Sequence, residues 1–247
     1  MGMPMSISVR GAETSGPSYE VVVKKAYDEL RRVDRLFSTY QADSDVSRLN
    51  AGTLSLGDTH ADVRTVAALC ELARERTGGA FDARLPVSGG GTWFDPSGLV
   101  KTWAAERAFA VLTDGIAGAV YLGAAGDVIA RAGAARPPWR VGIESPLFPD
   151  RLLDVVELTD GGVATSGTAR RGKHLLDPRT GAAADALLSA TVVGPSLLWA
   201  DVYATAACVL GDDAIGWLAS ISGYEGMVVF SGTGHVQRTP GWPTAAR

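Results

Sequence analysis

Apolar residues recur every three to four positions in five stretches of the chain, the spacing that places them on one face of an α-helix. We therefore predict helices over residues 18–37, 59–76, 97–112, 196–210 and 213–222. The second of these stops before Gly78 and Gly79, because glycine adopts the left-handed conformation that ends a helix at little cost. The third begins after Asp95 and Pro96, residues suited to a helix start.

Short runs of β-branched and apolar residues, separated by Gly, Pro and Asp turns, follow residue 118. They predict strands over residues 119–122, 128–131, 139–143, 152–158, 188–193, 227–230 and 236–238. The fold class indicated is α+β, with mixed or antiparallel sheets and packed helices. Because no repeat or linker divides the chain, we interpret residues 1–247 as one two-lobed domain, helix-rich over about 18–115 and sheet-rich over about 118–247.

The composition is that of an ordinary folded protein, with 46% hydrophobic and 20% charged residues in a chain of 247. A formal net charge of −4, without a run of Lys and Arg among aromatics, argues against nucleic-acid binding. The sequence contains no apolar run of about 18 residues that could span a membrane. We expect a cytoplasmic protein from the chain as given, although an exported chain trimmed of its signal would look the same. Cys70 and Cys208 lie in apolar helical patterns and are predicted to be buried thiols.

Asp201 and Thr205 are candidates for a metal site. They stand four residues apart in a predicted helix and so project from one face, beside the apolar Leu198 and Cys208. A carboxylate on a buried stripe is costly unless it is paired or bound to metal, and two oxygen ligands one turn apart suit Mg²⁺. Spacing alone leaves open the alternative that Asp201 meets a buried arginine or a backbone amide.

The segment FDPSGLVK is a candidate phosphate site. Asp95 precedes a helix start, Gly98 offers an exposed backbone carbonyl for a metal shell, and Lys101 follows one turn into the helix. A helix N-terminus attracts phosphate, and the lysine adds a point charge that could hold a pyrophosphate. The alternative is a capped helix with a solvated lysine, which is the commoner arrangement.

His174 lies between a turn predicted at residues 165–167 and the sequence DPRTG, whose residues favour a second turn. Histidine titrates near neutral pH, so His174 is a candidate general base, with a surface histidine of no catalytic role as the alternative. His60 and His235 lack such a setting, and we interpret both as structural.

Seven segments, in order along about residues 37–211, resemble the landmarks of the FAD:protein FMN transferase family, the ApbE-like flavin transferases. They are SDVSRLN, TGGAFD, DPSGLVK, LGAAGDV, TSG, HLLDPRTG and ADVYATA. The sequence departs from the family pattern at Thr102, where glycine is usual, at Ala125, which replaces a glycine of GGD, and at Ala204, sometimes acidic. Motifs of other enzyme classes, such as GxxxxGK[ST], HExxH and GxSxG, are absent from the sequence.

The resemblance implies roles for individual residues. Asp201, Thr205 and the carbonyl of Gly98 correspond to the metal ligands, and His174 and Asp201 to the catalytic groups. The residues implied to lie against FAD are Asn50, Gly79, Ala80, Phe81, Asp82, Asp95, Lys101 and Leu176.

The implied reaction is Mg²⁺-dependent transfer of FMN from FAD to a threonine or serine hydroxyl of an acceptor flavoprotein, with release of AMP. Charge neutralisation and positioning dominate such phosphoryl transfers. Two alternatives stay open: a Mg²⁺-dependent FAD pyrophosphatase that produces FMN and AMP, and a noncatalytic FAD-binding protein.

Overall fold

A computed structural model of the protein describes residues 3–11, 17–87, 90–133, 137–148, 150–167, 175–243 and 245. The α-helices within these ranges are α1 (Pro17–Phe37), α2 (Asp45–Asn50), α3 (Ala61–Arg76), α4 (Ser97–Gly115), α5 (Leu197–Leu210) and α6 (Ala214–Ala219). The strands are β1 (Met5–Arg10), β2 (Arg84–Pro86), β3 (Thr92–Phe94), β4 (Ala119–Ala124), β5 (Asp127–Arg131), β6 (Trp139–Glu144), β7 (Leu152–Leu158), β8 (Asp160–Gly167), β9 (Leu187–Gly194), β10 (Glu225–Phe230) and β11 (Val236–Arg238).

A seven-stranded antiparallel sheet is the centre of the fold, with the strand order β1-β4-β5-β8-β9-β10-β11. Two separate hairpins, β2–β3 and β6–β7, complete the described strands. This arrangement confirms the α+β class with antiparallel sheets and packed helices. No helix in the described part of the chain combines the length and the apolar character needed to cross a membrane.

The central sheet is covered on both faces. Alternate residues of its strands, such as Ile129, Ala164 and Val192, join the buried core formed with α1, α4 and α5. Their neighbours Val128 and Val163 point to the other face and pack under the β6–β7 hairpin. This strict alternation is the period-2 pattern of a strand, and it decides which residues face the helices.

The five predicted helices and the predicted strands are present, with ends that differ by a few residues. Local capping sets several of these ends. The predicted helix over 59–76 starts at Ala61 because the Nδ1 atom of His60 accepts a hydrogen bond from the Asp62 amide, 3.1 Å away. The DPRTG turn is confirmed, since the Asp177 carbonyl accepts from the Gly181 amide at 2.7 Å.

One predicted turn is wrong. Residues 165–167 end strand β8, where Thr165 pairs with Thr191, Ser166 with Ala190 and Gly167 with Ser189. The backbone of this polar segment finds its hydrogen bonds in β9, so it extends the sheet instead of turning. Strands β1, β2, β3 and β8 and helix α2 were also not predicted.

Cys70 and Cys208 are buried and free, as predicted. Burial raises the pKa of each thiol to about 12, so both stay protonated at neutral pH.

Candidate functional site

Asp201 lies on α5 with its side chain buried against α4. The Nζ atom of Lys101 is 3.3 Å from Oδ2 of Asp201, and the Thr102 hydroxyl donates a hydrogen bond of 3.2 Å to the same oxygen. The alternative that Asp201 has a buried pairing partner is therefore realised, although the partners are a lysine and a threonine instead of an arginine or a backbone amide. Lys101 is also largely buried, with 16% of its side chain exposed.

A second buried carboxylate, Asp127, completes the cluster, and the sequence-based prediction missed it. Asp127 begins β5, directly after the turn at Ala125 and Gly126, and is 2% exposed. Its Oδ1 atom accepts a hydrogen bond of 3.0 Å from the Thr165 amide, and its Oδ2 atom forms an ion pair with Lys101. The sequence signal that could have identified Asp127 is an acidic residue directly before the apolar residues of a predicted strand.

The cluster of Lys101, Asp127 and Asp201 contains two carboxylates and one ammonium. Burial raises the pKa of Asp201 to about 6, the Lys101 ammonium opposes that rise, and the Asp127 charge adds to it. Burial works against the charge on Lys101, yet the carboxylates of Asp201 and Asp127 raise its pKa above the ordinary lysine value. With both acids ionised, the cluster holds one negative charge in excess, which is costly in a buried place.

Thr205 lies one turn after Asp201 on α5, as the spacing predicted. Its hydroxyl shares a hydrogen bond of 2.9 Å with the hydroxyl of Ser166, at the end of β8. Ser166, in the segment TSG, thus faces α5 beside the predicted metal ligand Thr205. The turn predicted at residues 165–167 did not indicate this contact.

Helix α5 is held against α4 at its first turn by Glu106. The Oε1 atom of Glu106 accepts from the Ser196 hydroxyl at 2.8 Å and from the Leu198 amide at 3.0 Å. A carboxylate at a helix N-terminus is favourable because the amides there lack helical partners. Glu106 and Lys101, both on α4, therefore fix α5 at two points and set the position of Asp201.

The start of α4 carries Gly98, which is exposed and lies in the first turn. Asp95 accepts a hydrogen bond of 3.0 Å from the Ser97 amide at Oδ1 and so fixes the chain at this start. The ring of Phe81 packs beside Gly98, where a Cβ atom would lie 3.4 Å from Cε2 of Phe81. The predicted FAD-contacting residues Phe81, Asp95 and Lys101 are therefore brought together around α4.

Asn50 is anchored to the same region. Its side-chain amide donates to the Phe94 carbonyl and accepts from the Phe94 amide, both at 2.8 Å. These bonds tie the end of α2 to β3, directly before Asp95. The Asn50 side chain therefore serves as a backbone anchor.

A cavity of about 360 Å³ lies beside the predicted FAD-contacting glycine, and Gly79, Asp82 and Arg179 are among its lining residues. Gly79 has φ of +80°, a conformation that favours glycine. Asp82 uses Oδ1 to accept a hydrogen bond of 2.8 Å from the Arg84 amide, and Ala80 is buried.

Leu176 is 55% exposed and forms an isolated bridge with Ala183. His174 lies outside the described residues.

Within the described ranges, no three His, Cys, Asp or Glu side chains form a group that could hold a metal ion. The predicted ligand set is of another kind, since it combines one carboxylate with a hydroxyl and a backbone carbonyl. Mg²⁺ accepts such oxygens and keeps several positions for water or phosphate.

Parts of the chain are similar to characterised proteins named FAD:protein FMN transferase. The Escherichia coli K12 protein is 36% identical over 86 residues, which are 31% of this chain and 24% of that protein. The Salmonella typhimurium LT2 protein is 32% identical over 122 residues, or 44% of this chain and 34% of that protein. The matched region spans about a quarter to a third of the length of these curated relatives.

Solved structures share the whole fold. The ApbE protein of Thermotoga maritima MSB8 superposes with a TM-score of 0.83 at 21% identity, covering 97% of this chain and 94% of that chain. The flavin transferase ApbE of Vibrio cholerae gives 0.79 at 21% identity, with 96% and 93% covered. The apo form of the Pseudomonas stutzeri flavinyl transferase ApbE gives 0.78 at 23% identity, with 99% and 98% covered.

The match to the family as a whole extends through nearly all of the chain. The ApbE family model matches residues 1–87 and 84–228, a region that includes Lys101, Asp127, Asp201 and Thr205. This chain therefore belongs to the ApbE family.

Proposed function

We propose that this protein is a Mg²⁺-dependent FAD:protein FMN transferase. It moves FMN from FAD to a threonine or serine hydroxyl of an acceptor flavoprotein and releases AMP. The observation that carries the proposal is the buried cluster of Lys101, Asp127 and Asp201, with the Thr205 hydroxyl one helical turn away. Membership of the ApbE family and the names of the sequence relatives support it.

The residues present fit a divalent cation. The cluster carries one more carboxylate than ammonium groups, and Asp127 is buried with the Lys101 ammonium beside its Oδ2 atom. A cation bound at Asp201 would balance this excess charge. The Thr205 hydroxyl and the Gly98 carbonyl are the further oxygen ligands that we propose.

Bound Mg²⁺ supplies positive charge that neutralises the diphosphate of FAD and the charge that develops on the leaving phosphate. Lys101 adds a second positive charge from the first turns of α4, and the dipole at the N-terminal end of this helix also favours phosphate. Two carboxylates fix the position of Lys101, so its place beside the proposed cation is set before FAD binds.

The surrounding residues would hold the rest of FAD. We assign this role to Asn50, Gly79, Ala80, Phe81, Asp82, Asp95 and Leu176. The exposed Leu176 offers an apolar contact for the flavin nucleotide, and the positive φ of Gly79 lets the backbone approach closely.

The transfer step forms one bond and breaks another. A base removes the proton from the acceptor hydroxyl, and we assign this role to His174. The hydroxyl oxygen attacks the phosphorus on the FMN side of the diphosphate. The bond from that phosphorus to the bridging oxygen breaks, and AMP leaves with that oxygen.

The test is an incubation of the protein with FAD, Mg²⁺ and a candidate acceptor flavoprotein. We expect a fluorescent acceptor band on a denaturing gel and one AMP released for each FMN transferred. Asp201→Asn keeps the side-chain shape and removes the charge, and should lower the rate by about 100-fold or more.

Asp154→Asn is the matched control, because Asp154 is a partly buried carboxylate in the β6–β7 hairpin, paired with Arg238. Its rate should equal that of the wild type. An undiminished rate in Asp201→Asn would refute the metal assignment. AMP release without a labelled acceptor would identify a pyrophosphatase instead, and retained FAD without turnover would identify a binding protein.

A further inference from the structure

Two pairs of hydroxyl groups lie at the end of β8, on opposite faces of the sheet. Ser166 points towards α5 and meets the Thr205 hydroxyl at 2.9 Å. Thr165 meets the Thr191 hydroxyl of β9, also at 2.9 Å. The two bonds have the same length and chemistry, and the Ser166 bond involves a proposed metal ligand.

Coordination by a threonine hydroxyl constrains its hydrogen. The oxygen can offer a lone pair to a cation only when its O–H bond points away from that cation, and a hydrogen directed into a partly buried region is favoured when it meets an acceptor. Either hydroxyl can donate in the bond between Thr205 and Ser166, so the Ser166 Oγ atom can serve as that acceptor. We propose that Ser166 is a positioning residue that orients the Thr205 hydroxyl for Mg²⁺, an inference that rests on the proposed function.

The end of β8 is rigid enough for this role. The Ser166 carbonyl accepts a hydrogen bond of 3.4 Å from the Cys208 thiol, one turn after Thr205 on α5. A Cβ atom at the next residue, Gly167, would overlap the Leu188 carbonyl oxygen of β9. Close packing on both sides therefore keeps Ser166 in place, and a partner held in this way orients a ligand at small entropic cost.

The test is calorimetric titration of the full chain with Mg²⁺ alone, without FAD. Ser166→Ala should weaken Mg²⁺ binding about tenfold. Thr191→Val is the matched control, because it removes the equivalent hydroxyl bond on the far face of the same strand. We expect Thr191→Val to bind Mg²⁺ like the wild type. Both variants lose one hydrogen bond, so both should lower the folding stability by a similar amount.

Two further variants separate orientation from packing. Ser166→Thr keeps the hydroxyl and should restore Mg²⁺ affinity, whereas Ser166→Cys keeps the volume with a weaker acceptor and should not. The urea unfolding midpoints of all variants show whether a change in Mg²⁺ affinity only reflects a change in folding stability. Affinity that falls in parallel with stability in Thr191→Val and Ser166→Ala alike would overturn the inference.

The background of Thr205→Val tests whether Ser166 acts through Thr205. In that background, Ser166→Ala should cause no further loss of Mg²⁺ affinity, whereas a further loss would make Ser166 a direct ligand and overturn the orienting role. Wild-type affinity in Ser166→Ala, together with lost affinity in Thr205→Val, would overturn only this inference. Undiminished affinity in both Asp201→Asn and Thr205→Val would overturn the proposed metal site itself.

Discussion

Asn50 and Phe94 exchange two hydrogen bonds of 2.8 Å, one in each direction between the side-chain amide and the backbone. Phe94 directly precedes Asp95, whose carboxylate fixes the start of α4. The position of Lys101, one turn further on, therefore depends on an amide that lies 51 residues earlier in the chain.

The first prediction concerns this anchor. Asn50→Ala removes both bonds and leaves the Phe94 amide and carbonyl without their partner, so unfolding in urea should cost about 1–3 kcal/mol less. Asn50→Asp retains an acceptor for the Phe94 amide but has no donor, and should be intermediate. If both variants kept wild-type stability, the bonds between Asn50 and Phe94 would not anchor β3, whatever the effect of the variants on FAD affinity.

A second prediction concerns the acid range. Hydrogen bonds from Arg32 lower the pKa of Glu29 from near 4.5 to about 2, its burial opposes this shift, and Arg107 adds to it. A lowered carboxyl pKa stabilises the fold above the unfolded-state value, and that stability is lost as the pH falls from about 4.5 towards 2. Glu29→Gln should flatten the fall in unfolding free energy across this interval.

Asp28, the preceding residue, provides the control for that measurement. It pairs with Lys24 and Arg31 at the surface, where solvent screens the charges. Asp28→Asn should leave most of the pH dependence intact. An unchanged pH profile in Glu29→Gln would show that the Arg32 and Arg107 contacts are not maintained in solution.

The excess negative charge of the buried cluster gives a third prediction. Asp127→Asn keeps the acceptor for the Thr165 amide and leaves one carboxylate for Lys101, so the cluster becomes neutral. The increase in melting temperature that Mg²⁺ produces in the wild type should shrink in this variant, because the cation no longer relieves an excess charge. Melting curves with Mg²⁺ and with a chelator measure this difference, and an equal Mg²⁺ effect in both proteins would refute it.

The fourth prediction concerns two glycines whose replacement by alanine should change the folding stability in opposite directions. A Cβ atom at Gly162 would lie 2.6 Å from the Cα atom of Leu197, so Gly162→Ala should push α5 from the sheet and cost about 1–3 kcal/mol. Gly216 is exposed within α6 with no neighbour in the way, and Gly216→Ala should stabilise the fold by about 0.5–1 kcal/mol. Urea denaturation measures the stability of both variants. A loss of stability in Gly216→Ala would contradict the open space around Gly216 in α6.

Periodicity was sufficient to predict most helices and strands, because their buried faces carry regular apolar residues. It failed for β8, where Gly161 and Gly162 interrupt the apolar pattern. Their lack of side chains permits close packing, as a Cβ atom at Gly161 would lie 2.5 Å from the Gly194 carbonyl oxygen. The same holds for Gly167 in the turn predicted at residues 165–167, since a Cβ atom there would overlap the Leu188 carbonyl oxygen of β9.

The relative position of Asp201 and Thr205, the proposed metal ligands, was predictable from local spacing. Asp201 and Thr205 share one helix, so their spacing alone places them on one face. Asp127 was not predictable in this way, because its partners Lys101 and Thr165 belong to other elements. Pairing across the sheet and packing of α4 against β5 decide those contacts, and neither leaves a local pattern.

The wide separation of the cluster residues along the chain has a consequence for the order of folding. Lys101 and Asp201 are 100 positions apart, and Asp127 lies between them on a third element. Contacts between such distant positions form late, since long loops must close first. During synthesis, Lys101 and Asp127 leave the ribosome well before α5. We therefore expect the proposed cation site to be among the last parts of this protein to form, and a chain that ends before α5 lacks both Asp201 and Thr205.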